Sequence, residues 1–556
     1  MKIYCKNLKR YIHAEGGQTL AQIYAAVSEE IGFMPVCAMV NNKTEDLGFP
    51  VYGPKMVEFL PASSASGKRV CTRTLCMMLY RCVTELYPGV TFRVEHSIAR
   101  GYYCRLITPG GEALPLEAAD VERLRQRMER LAQADIPFVR KERLTSDVIE
   151  IFRRQGLEEK ALLLETVHDL YTVYYTLDGV ADSYYGPLAP STGLARVFDL
   201  IPYKEGFLLM GPSASDPSEP ETPVSQEKMY GAFTDYLKFN RVIRVSTVGE
   251  LNLAVRRRET SQLVNVAEVM HTKILGRISD EIARRHREEG TRVVLIAGPS
   301  SSGKTTTTKR LAVQLMTNLL TPKMISLDDY FVDRHLTPRD ESGDYDYESL
   351  HALDLERLNS DLSRLLAGEE INLPTYSFEL GKRVERPRPL RLGQGEILLI
   401  EGIHGLNPEL TGALPAGAVF KMYVSALSTL RIDDHNWIST TDTRLIRRIV
   451  RDNKFRHTCA LDTLRRWPSV RRGEERWIFP FQENADATFN SSLIFELAVM
   501  KRFAEPLLRE VPRDCPQYAA AYRLIRLLGY CEEIDLSLLP STSLLREFLG
   551  GSSFKY

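Results

Sequence analysis

The chain has 556 residues, and its 72 Lys+Arg balance 72 Asp+Glu, so no overall field draws it to nucleic acid and any RNA binding would need a local patch. At 44% hydrophobic and 26% charged residues it reads as a soluble globular protein too long for one core, which predicts three or more domains. Nine cysteines with no C-x-x-C pair argue against a disulfide framework, and the charged start MKIYCKNLKR with no apolar run of about 18 residues argues against secretion or membrane insertion, so a cytoplasmic setting is expected.

Residues 1–62 read as a small β-grasp unit. KIYCKN and RYIHAE alternate as a strand pair, the capping box Thr19-Leu20-Ala21-Gln22 opens a helix to about Ile31, and PVCAMVNN and KMVEFL are further strands. Residues 63–215 form an α+β region. It carries a helix ending in TELYPG (84–89), the strand GYYCRL (101–106), a helical stretch over 119–142 and the loop SYYGPLAP (183–190). The Pro-, Ser- and Glu-rich run 211–228 is a linker. Within 216–290 a bracing helix follows, in which Leu263, Val266, Met270, Ile274, Ile278 and Ile282 recur every three or four residues. Over 291–510, apolar strands at 293–297, 323–327, 396–400, 418–424 and 488–493 alternate with helical stretches. That pattern predicts a mainly parallel sheet with helices on both faces and ligands beyond the carboxyl ends of its strands. Residues 511–556 read as a helical tail without assigned chemistry. The fold class expected is thus multi-domain α/β.

The most informative stretch is VVLIAGPSSSGKTTTT (293–308), a complete match to G-x-x-x-x-G-K-[ST]. A buried strand ends, the run Gly298, Pro299, Ser300, Ser301, Ser302, Gly303 curls the backbone, and a helix starts at Lys304, Thr305 and Thr306. Inward N–H groups and the positive helix end suit phosphate oxygens. Lys304 would reach the β- and γ-phosphates, and Thr305 would hold Mg²⁺, so ATP and Mg²⁺ are the expected cofactors.

Two carboxylates follow at strand ends. Asp328 in SLDDYF is placed to orient an acceptor hydroxyl and take its proton, with a simple loop or cap role as the plain alternative. Glu401, after EILLI, is a Walker-B-type residue supporting Mg²⁺. His404 could touch substrate, although a lone histidine is more often structural. Residues 444–476 carry ten arginines and Lys454, which suits a lid over phosphates, with two or three of them functional and the rest on the surface.

These motifs carry resemblances. Residues 1–62 resemble the TGS domain of threonyl-tRNA synthetases, and residues 63–215 resemble the second additional, editing domain of that family. The family's H-x-x-x-H falls on Arg73 and Met77, and its later Cys and His fall on Tyr184 and Leu188, so the zinc and hydrolytic site is expected to be lost. GPSSSGKTT, SLDDYF, LPTYSF (373–378), ILLIEGIHGL, DTRLIRRIVRD (442–452) and ADATF (485–489) resemble the uridine kinase and phosphoribulokinase family. The whole chain is similar to uridine-kinase-like nucleoside kinases that carry a TGS domain.

By that resemblance Lys304 and Thr305 bind ATP and Mg²⁺, Asp328 is the catalytic base and Glu401 supports the metal. Asp346 and Tyr376 line the nucleoside pocket, and Arg447, Arg451 and Arg456 serve phosphates, Arg447 also facing substrate. Two departures stand out. Asp346-Tyr347-Glu348 replaces the family's Asp-His-Pro, and Gly381 stands where a base-contacting His is usual. The leading expectation is an ATP-dependent kinase of a pyrimidine nucleoside 5′-hydroxyl. The alternatives are a sugar or sugar-phosphate kinase, with Lys382 and Arg383 as the compensating cations, and an RNA-associated regulatory ATPase working through the N-terminal domains. A homo-oligomer remains open.

Overall fold

The computed structural model describes residues 1–340, 343–384, 386–410 and 414–556. The N-terminal sheet runs in the order Arg10–His13, Lys2–Cys5, Met56–Leu60, Cys37–Val40, Lys43–Glu45. Lys2–Cys5 and Met56–Leu60 lie parallel at its centre, and the other pairs are antiparallel. Ile3, Cys5, Val57 and Phe59 point from this sheet onto Leu20 and Ile23 of the helix Leu20–Ala25. The Thr19–Gln22 capping box forms as expected, but the helix stops at Ala25 and resumes only as the single turn Ser28–Ile31.

In the middle region the 22-residue helix Ala65–Leu86 packs on a four-stranded sheet ordered Asp199–Tyr203, Gly206–Met210, Gly101–Ile107, Thr91–Ile98. The helix expected over 119–142 is shorter than its charge pattern implies. Ala118–Ala134 is helical, Asp135 ends it in the left-handed region (φ 48°), and Val139–Leu144 is a strand paired with Tyr171–Leu177. Pro137, which cannot donate to a helical ladder, follows directly.

The long helix Thr260–Glu288 buries Leu263, Val264, Ala267, His271, Leu275, Ile278 and Ile282, while Val266 is exposed and Met270 and Ile274 are half-buried. The buried stripe is therefore rotated from the one the apolar spacing suggested, because small and polar residues (Ala267, His271) complete the packed face.

The C-terminal sheet is five parallel strands in the order Thr321–Ser326, Glu396–Glu401, Val293–Ala297, Val419–Ser425, Ala487–Asn490. Val294 and Ile296 enter one core and Val293 and Leu295 the other. Burial on both faces explains why this strand is continuously apolar rather than alternating. Leu544, Leu545, Phe548 and Leu549 of the tail belong to the first of these cores.

The segment after Val419–Ser425 reaches under the middle region. Lys160, 1% exposed, meets Asp182 (2.8 Å) and Asp433 (2.9 Å), and His435 meets Asp182 (2.8 Å). Arg431 meets Glu159 (3.2 Å) and Asp434 (3.3 Å), and Arg93 returns to Asp434 (2.8 Å). No described helix is long and apolar enough to cross a membrane.

Candidate active site

Gly298 follows the central strand so closely to its neighbour that a Cβ there would lie 2.0 Å from the Val424 carbonyl oxygen. The turn that follows is closed by the Ser302 N–H on the Pro299 carbonyl (3.2 Å). Gly303 (φ 85°) caps the helix Lys304–Thr317, leaving the first helical N–H groups without a side-chain cap from that position. The Lys304 ammonium donates to the carbonyls of Gly298 (2.8 Å) and Pro299 (3.2 Å), across the mouth of the loop. Burial lowers its pKa, against the pull of Glu401, Asp328 and Glu547.

The Thr305 hydroxyl lies 3.1 and 3.0 Å from the two Glu401 carboxylate oxygens. Burial pushes Glu401 up to about 7, opposed by Lys304. A hydroxyl and one carboxylate, both oxygen donors, fit Mg²⁺, which takes one or two carboxylates together with phosphate oxygens and water. Among the described residues there is no group of three or more His, Cys, Asp or Glu built to hold a metal by itself.

Asp328 follows the strand Thr321–Ser326 in the short turn Leu327–Tyr330, where it is exposed. Enclosure by the surrounding protein raises its carboxyl, and Lys304 and Arg456 oppose that. Asp329 next to it is already tied to Arg388 (2.9 Å). Glu348 is a third carboxylate of the cleft. Burial pushes it up to about 7, with Arg448 opposing, and Lys304 and Asp328 also act on it. Sequence reasoning registered this residue only as a departure from a family motif.

The arginines of helix Thr440–Arg456 divide into two sets. Arg444 and Arg447, at 1% and 0% exposed, are scaffold. Arg444 pairs with Glu474 and donates to the Ser300 carbonyl (2.9 Å). Arg447 pairs with Glu496 (2.7 Å), donates to the Ser491 carbonyl (3.0 Å) and stands over the Phe548 ring. The Arg447 guanidinium, for which a phosphate and substrate role is expected, here also approaches the Ser301 carbonyl (3.5 Å), behind the P-loop. Arg448 reaches the Ser300 hydroxyl (2.8 Å). Arg451 and Arg456 share Asp452 (2.8 and 3.7 Å) and act on Asp328.

On the acceptor side, Tyr376 is 8% exposed with its hydroxyl unpartnered, and its ring packs on Phe331 and Phe378 (centroids 5.6 and 5.0 Å). Asp346 is half-buried and accepts the Glu348 N–H (3.1 Å). Gly381 adopts φ 65°, and a Cβ there would lie 2.6 Å from the Arg334 guanidinium. Arg334 fills that space, donating to the Tyr347 hydroxyl (3.1 Å) and the Phe378 carbonyl (2.8 Å). Arg383 is held by Asp354 (2.8 Å), while Lys382 is exposed.

The tail has a place at this site. The Glu547 carboxylate accepts the Thr306 N–H (3.0 Å) and its hydroxyl (2.7 Å), and the Tyr556 hydroxyl lies 2.8 Å from that same hydroxyl. Leu544 presses on Gly303, and Lys454 donates to the Leu549 carbonyl (2.5 Å). A carboxylate thus occupies an anion position at the start of the P-loop helix.

Comparisons with known proteins follow the same division of the chain. Among curated proteins, the threonine–tRNA ligase of Porphyromonas gingivalis is 26% identical over 195 residues, 35% of this chain and 29% of that ligase. The ligase of Desulforamulus reducens is 25% identical over 186 residues, 33% of this chain and 29% of that ligase. These similarities lie in the N-terminal region, and the chain spans less than a third of those relatives' length. Among solved structures, a Bacillus stearothermophilus protein described as a possible uridine kinase overlaps 36% of this chain and 89% of its own, at 20% identity and TM-score 0.25. A D-glycerate 3-kinase from Cryptococcus neoformans overlaps 46% and 87%, at 14% identity and TM-score 0.21. Residues 293–494, the parallel sheet with its P-loop and arginine helix, match the model of the Phosphoribulokinase / Uridine kinase family.

Proposed function

We propose that the chain transfers the γ-phosphoryl group of ATP to the 5′-hydroxyl of a nucleoside, with pyrimidine nucleosides foremost. One observation carries the reading: Lys304, the Thr305–Glu401 pair and Asp328 converge at the carboxyl ends of three adjacent parallel strands. The P-loop N–H groups and Lys304 hold the phosphates, and Arg448, Arg451 and Arg456 offset charge that develops on them. Mg²⁺, held by Thr305 and supported by Glu401, would neutralise phosphate charge when bound. Asp328 takes the proton of the acceptor hydroxyl as that oxygen bonds to the γ-phosphorus and the β–γ bridging P–O bond breaks, leaving ADP. Asp329, engaged by Arg388, serves structure instead.

Asp346 accepts ribose hydroxyls and the Phe331–Tyr376–Phe378 cluster packs near the base. With glycine at 381, one base-directed hydrogen bond is missing, worth roughly 0.5–1.5 kcal/mol or up to about tenfold in selectivity. Discrimination among uridine, cytidine and thymidine is therefore loose. Arg334 supports a second reading, a sugar phosphate as acceptor, because it places a cation beside the aromatic cluster. Steady-state kcat/KM with ATP for the three nucleosides beside ribulose 5-phosphate separates the readings. Strong preference for the sugar phosphate overturns the first, and a sharp preference for uridine overturns the argument from Gly381.

A further inference from the structure

A second place in the molecule has the chemistry of a binding site. A cavity of about 890 Å³ lies where the middle region, the N-terminal strand Lys43–Glu45 and the helix Tyr518–Gly529 meet. Two of the four positions where the synthetase-like pattern would have put metal ligands, Arg73 and Tyr184, line it, and the first is a cation. Arg73 is 5% exposed and donates through Nε to the Pro187 carbonyl (3.1 Å). A Cβ at Gly186 would lie 2.7 Å from the Arg73 guanidinium carbon, so that guanidinium requires glycine beside it.

Arg69, one turn earlier on the same helix, donates only to the Ser66 hydroxyl (3.0 Å). Among the described residues, neither arginine has a carboxylate within ion-pair distance. Arg523 faces them from the helix Tyr518–Gly529. It pairs with Asp442, but its Nε is buried and unpartnered. The three cations feel one another: burial first, then Arg523 and Arg73, lower the Arg69 guanidinium to about 10.

The acids of the cavity do not cancel this charge. Asp46 is occupied by Arg140 (3.3 Å) and the Tyr175 hydroxyl (3.0 Å), and Glu505 by Arg509. Burial pushes Glu45 up to about 7, with Asp46 raising it further. Asp433 is held by Lys160 (2.9 Å) and Glu532 by Arg256 (2.5 Å); Asp169 and Glu533 also line the cavity. Tyr185 lies under Arg73 (5.8 Å) as an aromatic wall. Three guanidiniums brought together with one acid, which pairs with Arg523 alone, are unfavourable unless something compensates them, and an anion does so with geometry a fork of N–H donors is made for.

We propose that this cavity binds a small organic anion, a phosphate or a polycarboxylate, held by Arg69, Arg73 and Arg523. The site has a route to the P-loop. Asp442, the partner of Arg523, opens the helix Thr440–Arg456, whose Arg444 and Arg448 hold Ser300. An anion that recruits Arg523 loosens Asp442 and is felt at the phosphate loop. That consequence rests on the kinase reading, whereas the binding itself does not.

The test is isothermal titration of the full chain carrying Lys304→Ala, which removes the P-loop as a competing anion site. Inorganic pyrophosphate and citrate are the probes, at constant ionic strength. At least one is expected to bind once per chain. Arg69→Gln and Arg523→Gln, each added separately, should weaken that binding tenfold or more. Arg69→Lys, which keeps the charge but not the fork, should retain part of it and controls for loss of folding. Arg140→Gln, at an arginine already committed to Asp46, should leave it unchanged. Binding of pyrophosphate alone assigns a phosphate ligand and of citrate alone a carboxylate. Absence of binding by both probes, or binding undiminished by the Arg69→Gln and Arg523→Gln changes, overturns the proposal.

Discussion

The P-loop cleft and the cavity of the middle region both set arginines of a helix beside a concave wall, and they treat them oppositely. Behind the P-loop each fully buried arginine has its own acid, Arg444 with Glu474 and Arg447 with Glu496. In the cavity Arg69 and Arg73 have none. A buried arginine saturated by carboxylate and carbonyl is a strut, and its charge is spent within the fold. An arginine at a cavity wall with no carboxylate partner keeps its charge uncompensated by the fold. The cleft follows the same rule at its open edge, where Arg448, Arg451 and Arg456 share one acid, Asp452.

The comparison can be broken most sharply at the phosphate loop. Lys304→Ala should remove phosphotransfer by on the order of 10²-fold or more while leaving thermal stability unchanged, because the lost charge acts on the transferring phosphate. Asp328→Asn should lower kcat by about 10²-fold or more with ATP binding little changed. A larger kcat loss in Asp329→Asn than in Asp328→Asn reverses the assignment of the base.

Strut and ligand-facing arginine should then separate by readout. Arg447→Met leaves Glu496 buried and unpaired, which costs about 3–5 kcal/mol of stability. Arg456→Met, at a side chain 58% exposed, should leave the melting temperature within error and raise KM for ATP. Equal melting temperatures in the two variants would remove the distinction.

A smaller effect is expected at Glu547, which must leave the Thr306 N–H before a phosphate can take it. Glu547→Gln should lower KM for ATP several-fold, as expected from removing one charged hydrogen-bond competitor of about 1–2 kcal/mol. A rise in KM instead would make Glu547 part of the nucleotide site.

The smallest effect is on pH dependence and falls on both halves alike. Burial holds His96 of the middle region and His404 beside the cleft down to about 4, against an ordinary 6.5. A group depressed in the fold contributes stability that is fully present above 6.5 and is lost as pH falls toward about 4. Chemical denaturation between pH 7 and 4.5 should therefore show a falling midpoint. His96→Phe, which keeps the stack on Phe233 (3.5 Å), should flatten the slope.

What could be read from the chain was local in sequence. The P-loop, the strand-end carboxylates and the capping box at Thr19 each rest on spacings of a few residues. Glu547 meets Thr306 across 241 positions, and Asp442 meets Arg523 across 81, so neither contact leaves a local pattern. Position 381 shows the limit well. Read as a motif it is a missing histidine, but in the fold it is a φ of 65° with Arg334 in the space of a side chain. The arginines of helix Thr440–Arg456 show the same limit. A basic helix looks uniform in sequence, and only the acids brought from Glu474 and Glu496 separate struts from the rest. The 119–142 helix was overextended because the charge pattern continues past Asp135, where the backbone turns left-handed.

The ion-pair network joining the middle region to the P-loop domain has a consequence for how the chain comes apart. Lys160, Asp182, Asp433 and His435 are buried together, with Arg93, Glu159, Arg431 and Asp434 beside them. Half of these charges come from each side. Lys160 is the cation on Asp433, whereas Arg431 keeps Asp434 (3.3 Å) even where Glu159 is replaced. The two regions should therefore lose structure together rather than in separate steps, because Lys160 of one neutralises Asp433 of the other.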